Sequence, residues 1–169
     1  MLRNLGEGDI DARYLSWLQD EEVGRYLELR LERHDLVQVT EYVRQMNESD
    51  QNLFLGIFEK KNNVHIGNLK IGPINFFHKR AEIGLLIGEK SFWGKGLASE
   101  AIRRACMYAF DNLGLKKVFA GYYSGNNRSG RSFEKVGFKT EGRLRSHWKN
   151  IDGEREDQIL IGCFAEELK

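Results

Sequence analysis

The ten residues from Ser91 to Glu100, SFWGKGLASE, place two glycines around a lysine where a strand pattern changes to a helical one. The first N–H groups of a helix have no partner inside it, and the macrodipole adds partial positive charge there. Gly94 and Gly96 permit positive φ and close approach of a ligand, while Lys95 adds charge at the rim. The amides between Trp93 and Ser99 therefore predict a cradle for a phosphate or pyrophosphate. The alternative is a glycine-rich turn that binds nothing.

Two familiar nucleotide-binding motifs do not fit this loop. An ATP-type P-loop has four residues between its first glycine and its Gly-Lys pair, whereas Gly88 and Gly94 are separated by five. Gly96 also stands where that motif needs a magnesium-binding Ser or Thr. A Rossmann fingerprint would need glycine at Ser99 and a βαβ unit ahead of the loop. The loop therefore disfavours a nucleoside triphosphatase.

The hydrophobic pattern predicts the elements that position this loop. Two amphipathic helices come first, one capped by Asp9 and one opened by a capping box of Asp35 and Gln38. Further helices are expected at residues 98–113 and 128–136, ended by Gly114 and Gly137. Strands are expected at residues 2–5, 53–60, 64–77, 81–90, 118–123, 138–145 and 157–164. This order predicts an α+β sheet with helices on its faces.

Composition and charge limit the classes of function. With 41% hydrophobic and 30% charged residues, the chain of residues 1–169 is expected to form one domain with a core. A net charge of +1 implies neither nucleic acid nor a membrane as a partner, and there is no apolar run of signal-peptide or membrane-spanning length. Cys106 and Cys163 lie far apart in apolar surroundings, which indicates buried reduced thiols and a cytoplasmic protein.

Two stretches together resemble the central motifs of the GNAT acetyltransferases. They are IGLLIGEKSFWGKGLASEAI, residues 83–102, and NNRSGRSFEKVGFKTEG, residues 126–142. Within that family the chain is similar to the ribosomal-protein N-terminal acetyltransferases of the RimJ/RimL type, together with spermidine and amino-sugar acetyltransferases. The resemblance implies a GNAT-type domain with a mixed, mostly antiparallel sheet of six to seven strands flanked by about four helices. Ser91 departs from the family pattern, which commonly has Gln or Arg there.

The resemblance implies acetyl-CoA as cosubstrate and no metal. In the family the glycine loop holds the pyrophosphate, and the strand before it pairs with the pantetheine like an added β-strand. Asn126 matches an Asn whose amide bonds the pantetheine, and Ser129 a Ser that faces the cofactor sulfur, although each could be only a turn or cap residue. The expected cofactor-binding residues are Leu85, Leu86, Ile87, Phe92, Trp93, Gly94, Lys95, Gly96, Leu97, Ala98, Ser99, Asn126 and Ser129.

Acetyl transfer to an amine needs a base for the amine, a donor for the oxyanion and a proton for the leaving thiolate. Glu82 begins the strand that leads to the cradle and is the expected base, unless it is a solvated strand-end charge. A backbone N–H of residues 85–87 is the oxyanion donor that the family implies. Many members have Tyr as the acid where this chain has Phe133, so that role passes to Ser129 or to water, or a placed acid is unnecessary.

The acceptor is less defined by the sequence. Tyr26, Glu82, His147 and Asp157 are the expected substrate-binding residues, with Asp157 alternatively paired to an arginine. A protein N-terminus and a small-molecule amine such as an amino sugar remain equal candidates, while spermidine is disfavoured because a polycation would prefer an acidic groove.

The four histidines, His34 among them, show no metal spacing. A monomer or homodimer is expected. A sensor that binds acetyl-CoA without turnover is the alternative function.

Overall fold

The computed structural model describes residues 1–28 and 35–169. Its strands are β1 (Leu2–Asn4), β2 (Leu53–Phe58), β3 (His65–Asn75), β4 (Arg80–Ile87), β5 (Lys117–Tyr123), β6 (Lys139–Lys149) and β7 (Arg155–Phe164). Its helices are α1 (Ala12–Gln19), α2 (Glu21–Gly24), α3 (Leu36–Glu48), α4 (Leu97–Asp111) and α5 (Asn127–Glu134). The strands form one sheet in the order β1-β2-β3-β4-β5-β7-β6, in which only β4 and β5 run parallel. The α+β prediction with a mostly antiparallel sheet is therefore confirmed.

The first helix begins later than the sequence pattern indicates. Asp11 is its N-cap, because the Asp11 side chain accepts the N–H of Tyr14 at 2.9 Å. The predicted cap at Asp9 is wrong: both of its carboxylate oxygens accept from the Arg3 guanidinium at 2.7 Å. This ion pair holds the pKa of Asp9 below its usual value. The Asp9 carboxylate therefore binds Arg3 of β1, and Asp11, two residues later, caps the helix instead.

The other termini follow the predicted signals more closely. Asp35 and Gln38 form the capping box of α3, with N–H to side-chain distances of 2.8 and 3.0 Å. Gly114 and Gly137 adopt positive φ of 65° and 113° just after α4 and α5. The short helix α2, capped by the Asp20 side chain, was not predicted because four residues carry no periodic signal.

Alternation along the strands divides the core between the two faces of the sheet. We call the side covered by α4 and α5 the first face; its buried side chains include Ile83, Val118 and Ile161. We call the other side the second face; α1 and α3 cover it near β2, through Trp17, Val43 and Phe54 among others. Cys106 and Cys163 are fully buried free thiols in the first-face core, as predicted, and burial raises the pKa of Cys163 to about 11.

The parallel pair β4 and β5 separates soon after it begins. Arg80, Ala81 and Glu82 pair with residues 117–119 of β5. Beyond them, β4 continues to Ile87 beside β3 alone, while β5 continues to Tyr123 beside β7. We call the opening between the two diverging strands the slot.

Among the described residues, no helix is both long and apolar enough to cross a membrane.

Candidate active site

The glycine loop that ends at α4 has the backbone that the sequence predicts. A short 3₁₀ turn over Lys90–Phe92 leads into Gly94 at φ 74° and Gly96 at φ 77°. Gly96 is the N-cap of α4, and no side chain caps this helix. A Cβ added at Gly94 or Gly96 would find no other atom within 4 Å, so both glycines face open space. The positive φ angles, rather than internal crowding, are the reason for glycine at these positions.

The amides of this loop are available to a ligand. The Trp93 N–H already donates to Lys90 O at 3.0 Å, and the Glu100 N–H donates to Gly96 O at 3.1 Å as the first helical bond. Within the part of the chain that the structure describes, no oxygen accepts a hydrogen bond from the N–H groups of residues 94–99. These amides, which we call the cradle, stand at the positive end of a helix of 15 residues. This arrangement fits a phosphate group.

Side chains from both faces of the sheet surround the cradle. The Trp93 indole donates to Ile87 O at 2.7 Å and packs against the second-face core. Phe92 packs against the first-face core, and the Lys95 ammonium lies 5.1 Å from its ring centroid. The Arg128 guanidinium of α5 lies 5.1 Å from the Trp93 ring centroid. Two cations therefore flank a loop whose own amides are donors.

Alternation along β4 determines which of its main-chain N–H and C=O groups face the slot. The Gly88 N–H donates to Ile66 O across β3, and Leu86 is paired with Asn68 of β3. The main-chain groups of Leu85 and Ile87 therefore point away from β3, into the slot. Of the three residues expected to pair with pantetheine, Leu85 and Ile87 present their backbone to the slot. Leu86 directs its backbone toward β3.

Helix α5 forms the opposite side of the slot mouth. The Asn126 Oδ1 atom accepts the Ser129 N–H at 3.1 Å, so the cap uses the oxygen and leaves the Asn126 Nδ2 donors for another partner. Ser129 is half-buried, and the Ser99 hydroxyl donates to Ser132 O at 3.1 Å, which joins α4 to α5. Phe133 is buried 4.8 Å from the ring of Phe138. No phenol stands at that position.

Glu82, the expected base, lies on the second face of the sheet. Glu82 is exposed at the last residue that pairs with β5, where the slot begins. Tyr123, four residues after Phe119 on β5, lies on the same face, and its hydroxyl donates to Glu28. Its ring packs 5.5 Å from Tyr26 and stacks 4.3 Å from Trp148. The slot therefore meets an aromatic and acidic wall on the second face.

Two expected substrate residues lie elsewhere. Asp157 is on the first face, where it accepts from the Ser146 N–H at 2.7 Å and from Arg143. These two partners hold its pKa below its usual value, which matches the alternative of an ion pair with arginine. His147 is exposed beside Trp148, in the irregular stretch of β6 between Leu144 and Trp148. Neither side chain joins the wall that Tyr123 and Tyr26 form.

The histidines and the larger grooves do not add a second chemical centre. His65 is buried among the rings of Tyr14, Trp17 and Phe58, and His34 falls outside the described residues. No three His, Cys, Asp or Glu side chains of residues 1–28 and 35–169 come together as metal ligands. A groove of about 740 Å³ lies between β6, β7 and the end of β5, and a second groove, on the first face, of about 830 Å³ lies between α5, β6 and the C-terminal residues; neither includes a cradle residue.

Sequence reasoning missed three residues at this site. Tyr123 and Trp148 lie in strands whose pattern gave no reason to choose one aromatic over another. Arg128 stands inside the second motif, between Asn126 and Ser129, and its position there was the available signal. A charged residue one position before a residue expected at the cofactor is on the same helical turn.

Comparison with known proteins identifies the family. The family model "Acetyltransferase (GNAT) domain" matches residues 1–139. The uncharacterized N-acetyltransferase YoaA of Bacillus subtilis is 30% identical over 149 residues, 87% of this chain and 83% of that protein. The ribosomal protein uS5-alanine N-acetyltransferase of Escherichia coli is 28% identical over 120 residues, 70% of this chain and 60% of that protein.

A solved structure supports the fold. Spermidine N-acetyltransferase from Vibrio cholerae, crystallised in complex with CoA and spermine, has a TM-score of 0.86 at 22% identity and covers 99% of this chain and 96% of that one. At this identity the likeness shows the fold alone. The family match, the cradle and the slot agree with one another. The chain therefore belongs to the GNAT acetyltransferases, and transfer of acetyl from acetyl-CoA to an amine is the activity that this membership supports.

Proposed function

We propose that this chain binds acetyl-CoA with its phosphates at the cradle and its pantetheine along the slot, and transfers the acetyl group to a primary amine arriving from the second face. The observation that carries this assignment is the set of open amides at residues 94–99 beside a parallel strand pair that separates after Glu82. The cradle supplies donors for anions, and the slot edge at Leu85 and Ile87 supplies main-chain partners for an extended amide chain.

The transfer step follows from the groups around the slot. The neutral amine nitrogen attacks the thioester carbonyl carbon, the C–N bond forms and the C–S bond breaks, and no covalent enzyme intermediate is needed. Glu82 accepts the amine proton, directly or through one water, because it is the exposed carboxylate where the slot opens. A main-chain N–H of the slot edge donates to the oxyanion.

The leaving thiolate requires a proton from another source than a tyrosine. Phe133 fills the place of the phenol that many family members have, and its ring is buried in the core. Ser129, a half-buried hydroxyl-bearing residue at the first turn of α5, belongs to the second motif. We assign the proton to Ser129 or to water, and we expect the missing phenol to slow the chemical step rather than to prevent it.

For the acceptor we keep two classes, a protein N-terminal amine and a small-molecule amine. The relatives named above act on a ribosomal protein and on spermidine. Tyr26 and Trp148, which pack on the buried ring of Tyr123, supply flat apolar contacts, and Glu28 and Glu82 supply negative charge for an ammonium group. We further propose a cytoplasmic location, since both cysteines are buried free thiols, and a monomer or homodimer.

The first test is calorimetric titration with acetyl-CoA, followed by measurement of thiol release against peptides with free N-termini, amino-sugar nucleotides and polyamines. Micromolar binding with thiol release for one class of acceptor is the expected result, and it names that class. Binding without release for any amine would favour a sensor, for which the buried Phe133 is the supporting observation. Absence of acetyl-CoA binding would overturn the proposal.

A further inference from the structure

One side-chain contact crosses the slot mouth. Trp93 belongs to the second-face packing, while Arg128 comes from the first turn of α5 on the other side of the sheet. The Arg128 guanidinium carbon lies 5.1 Å from the centroid of the Trp93 ring, within the range of a cation–π contact. The Trp93 ring is itself fixed by the bond from its indole N–H to Ile87 O. Arg128 is therefore held beside the cradle by a ring anchored on β4.

A purely structural role does not account for an arginine here. Arg128 is exposed, and no carboxylate of the described residues forms an ion pair with its guanidinium. Lys90 of the same loop does have such a partner, Asp20 at 2.8 Å, whereas Lys95 and Arg131 form no ion pair within the described residues. A guanidinium has five N–H donors in a planar fork, and the ring face satisfies none of them.

The anionic groups of the cofactor exceed what the cradle alone can neutralise. CoA carries a pyrophosphate and a 3′-phosphate, whereas the loop at residues 91–99 contributes one cation, Lys95, besides its amides. Arginine binds phosphate through paired N–H donors, which is geometrically more selective than an ammonium group. Arg128 lies next to Trp93, the residue that immediately precedes the open amides.

We propose that Arg128 is a phosphate ligand of acetyl-CoA, supplied by α5 to the cradle of α4 and held in place by Trp93. This inference rests on the proposed function, because it assumes that the cradle takes the cofactor. Its consequence is that the cofactor is bound from both sides of the slot, by the amides of residues 94–99 on one and by the Arg128 guanidinium on the other. Lysine at this position keeps the charge but loses the fork.

The test is calorimetric titration of wild type, Arg128→Ala, Arg128→Lys and Arg131→Ala with acetyl-CoA, acetyl-3′-dephospho-CoA and S-acetyl-pantetheine. Arg131 is the matched control, since it is an exposed arginine one turn later on α5 that lines the first-face groove. We expect Arg128→Ala to lose about tenfold to hundredfold in affinity for acetyl-CoA. Arg128→Lys should recover part of the loss, and Arg131→Ala should stay within twofold of wild type.

The truncated ligands separate a phosphate contact from a structural effect. S-acetyl-pantetheine has no phosphate ester, so Arg128→Ala and wild type should bind it equally. A loss that persists with acetyl-3′-dephospho-CoA assigns Arg128 to the pyrophosphate, and a loss that disappears assigns it to the 3′-phosphate. Equal affinity of Arg128→Ala and Arg131→Ala for acetyl-CoA, or an equal loss on S-acetyl-pantetheine, would overturn the inference. If wild type itself does not bind acetyl-CoA, the proposed function fails instead.

Discussion

The two sides of the slot are built in different ways. The cradle comes from one continuous stretch, residues 94–99, and its donors are main-chain amides positioned by two glycines and a helix. The second-face wall comes from separate parts of the chain, with Tyr26, Glu82, Tyr123 and Trp148 each on a different element. A site made of backbone can be kept while side chains vary, whereas a site made of distant side chains changes with any one of them. The difference separates a cofactor shared across a family from an acceptor particular to one member.

The largest expected effect is on chemistry at the point where the two sides meet. Glu82→Gln removes the carboxylate that takes the amine proton, so kcat should fall by about 10²-fold, with acetyl-CoA affinity within twofold of wild type. Glu141→Gln, an acid exposed on β6 and paired with Lys117, is the control. Steady-state thiol release across pH measures the effect. Equal rates for Glu82→Gln and wild type at every pH would remove Glu82 as the base.

The cradle side is tested by the glycine that caps α4. Gly96→Ala places a methyl group into the open space of the cradle, and we expect acetyl-CoA affinity to fall at least tenfold. Gly114→Ala is a matched control, since Gly114 also has positive φ, at 65°, and open space at the opposite end of α4. The two variants should share a similar loss of stability, about 1 kcal/mol from the left-handed backbone. Calorimetry contradicts the cradle assignment if their acetyl-CoA affinities are alike.

The wall side is tested by neighbouring tyrosines on opposite faces of one strand. Tyr123→Phe removes the hydroxyl that donates to Glu28, and we expect KM for the acceptor to rise about fivefold to tenfold at constant KM for acetyl-CoA. Tyr122→Phe changes the same group on the first face, beneath Gly130, and should leave both KM values unchanged. Equal effects of the two variants on acceptor KM would remove Tyr123 from the acceptor wall.

The smallest expected effect concerns Asp157, which the sequence assigned to the acceptor. Its folded pKa is lowered by the Ser146 N–H and by Arg143, so its stabilising contribution is present above its ordinary pKa of 3.8 and is lost as pH falls through the folded value. Asp157→Asn should lower Tm at pH 7 by no more than about 3 °C, and the difference should shrink as pH falls below 3.8. Acceptor KM should not change; a several-fold increase would return Asp157 to the substrate site.

Sequence signals predicted the cradle because it depends on local chain properties. Positive φ at Gly94 and Gly96, the helix start and the preceding strand each have a signature within about twelve residues. The strand separation after Glu82 has no local signature in the sequence, because parallel pairing between β4 and β5 joins residues 37 positions apart in each of the three pairs. No local pattern carries that information.

The wall could not be predicted for the same physical reason. Tyr123 meets Tyr26 and Trp148 through tertiary packing, and the sequence contained no signal for which aromatic residues would come together. The wrong cap prediction at Asp9 has a similar cause. The ion pair between Arg3 and the Asp9 carboxylate depends on tertiary structure and leaves no signal in the sequence. His147 was chosen over its neighbour Trp148 because alternation in β6 could not be followed through an irregular strand.

The irregularity in β6 has a consequence for how the wall could change. Thr140 is opposite Ile161 and Gly142 is opposite Leu160, so Glu141 is an extra residue without a partner in β7. Because the bulge takes up this one residue, pairing resumes beyond it: Gly142, Arg143 and Leu144 lie opposite Leu160, Ile159 and Gln158. A second irregularity follows, since residues 145–147 lie between the Leu144–Gln158 and Trp148–Glu156 pairs, where β7 has only Asp157. Both irregularities take up extra residues of β6 while Trp148 stays opposite Glu156, so the length of β6 can change without moving this ring from the wall.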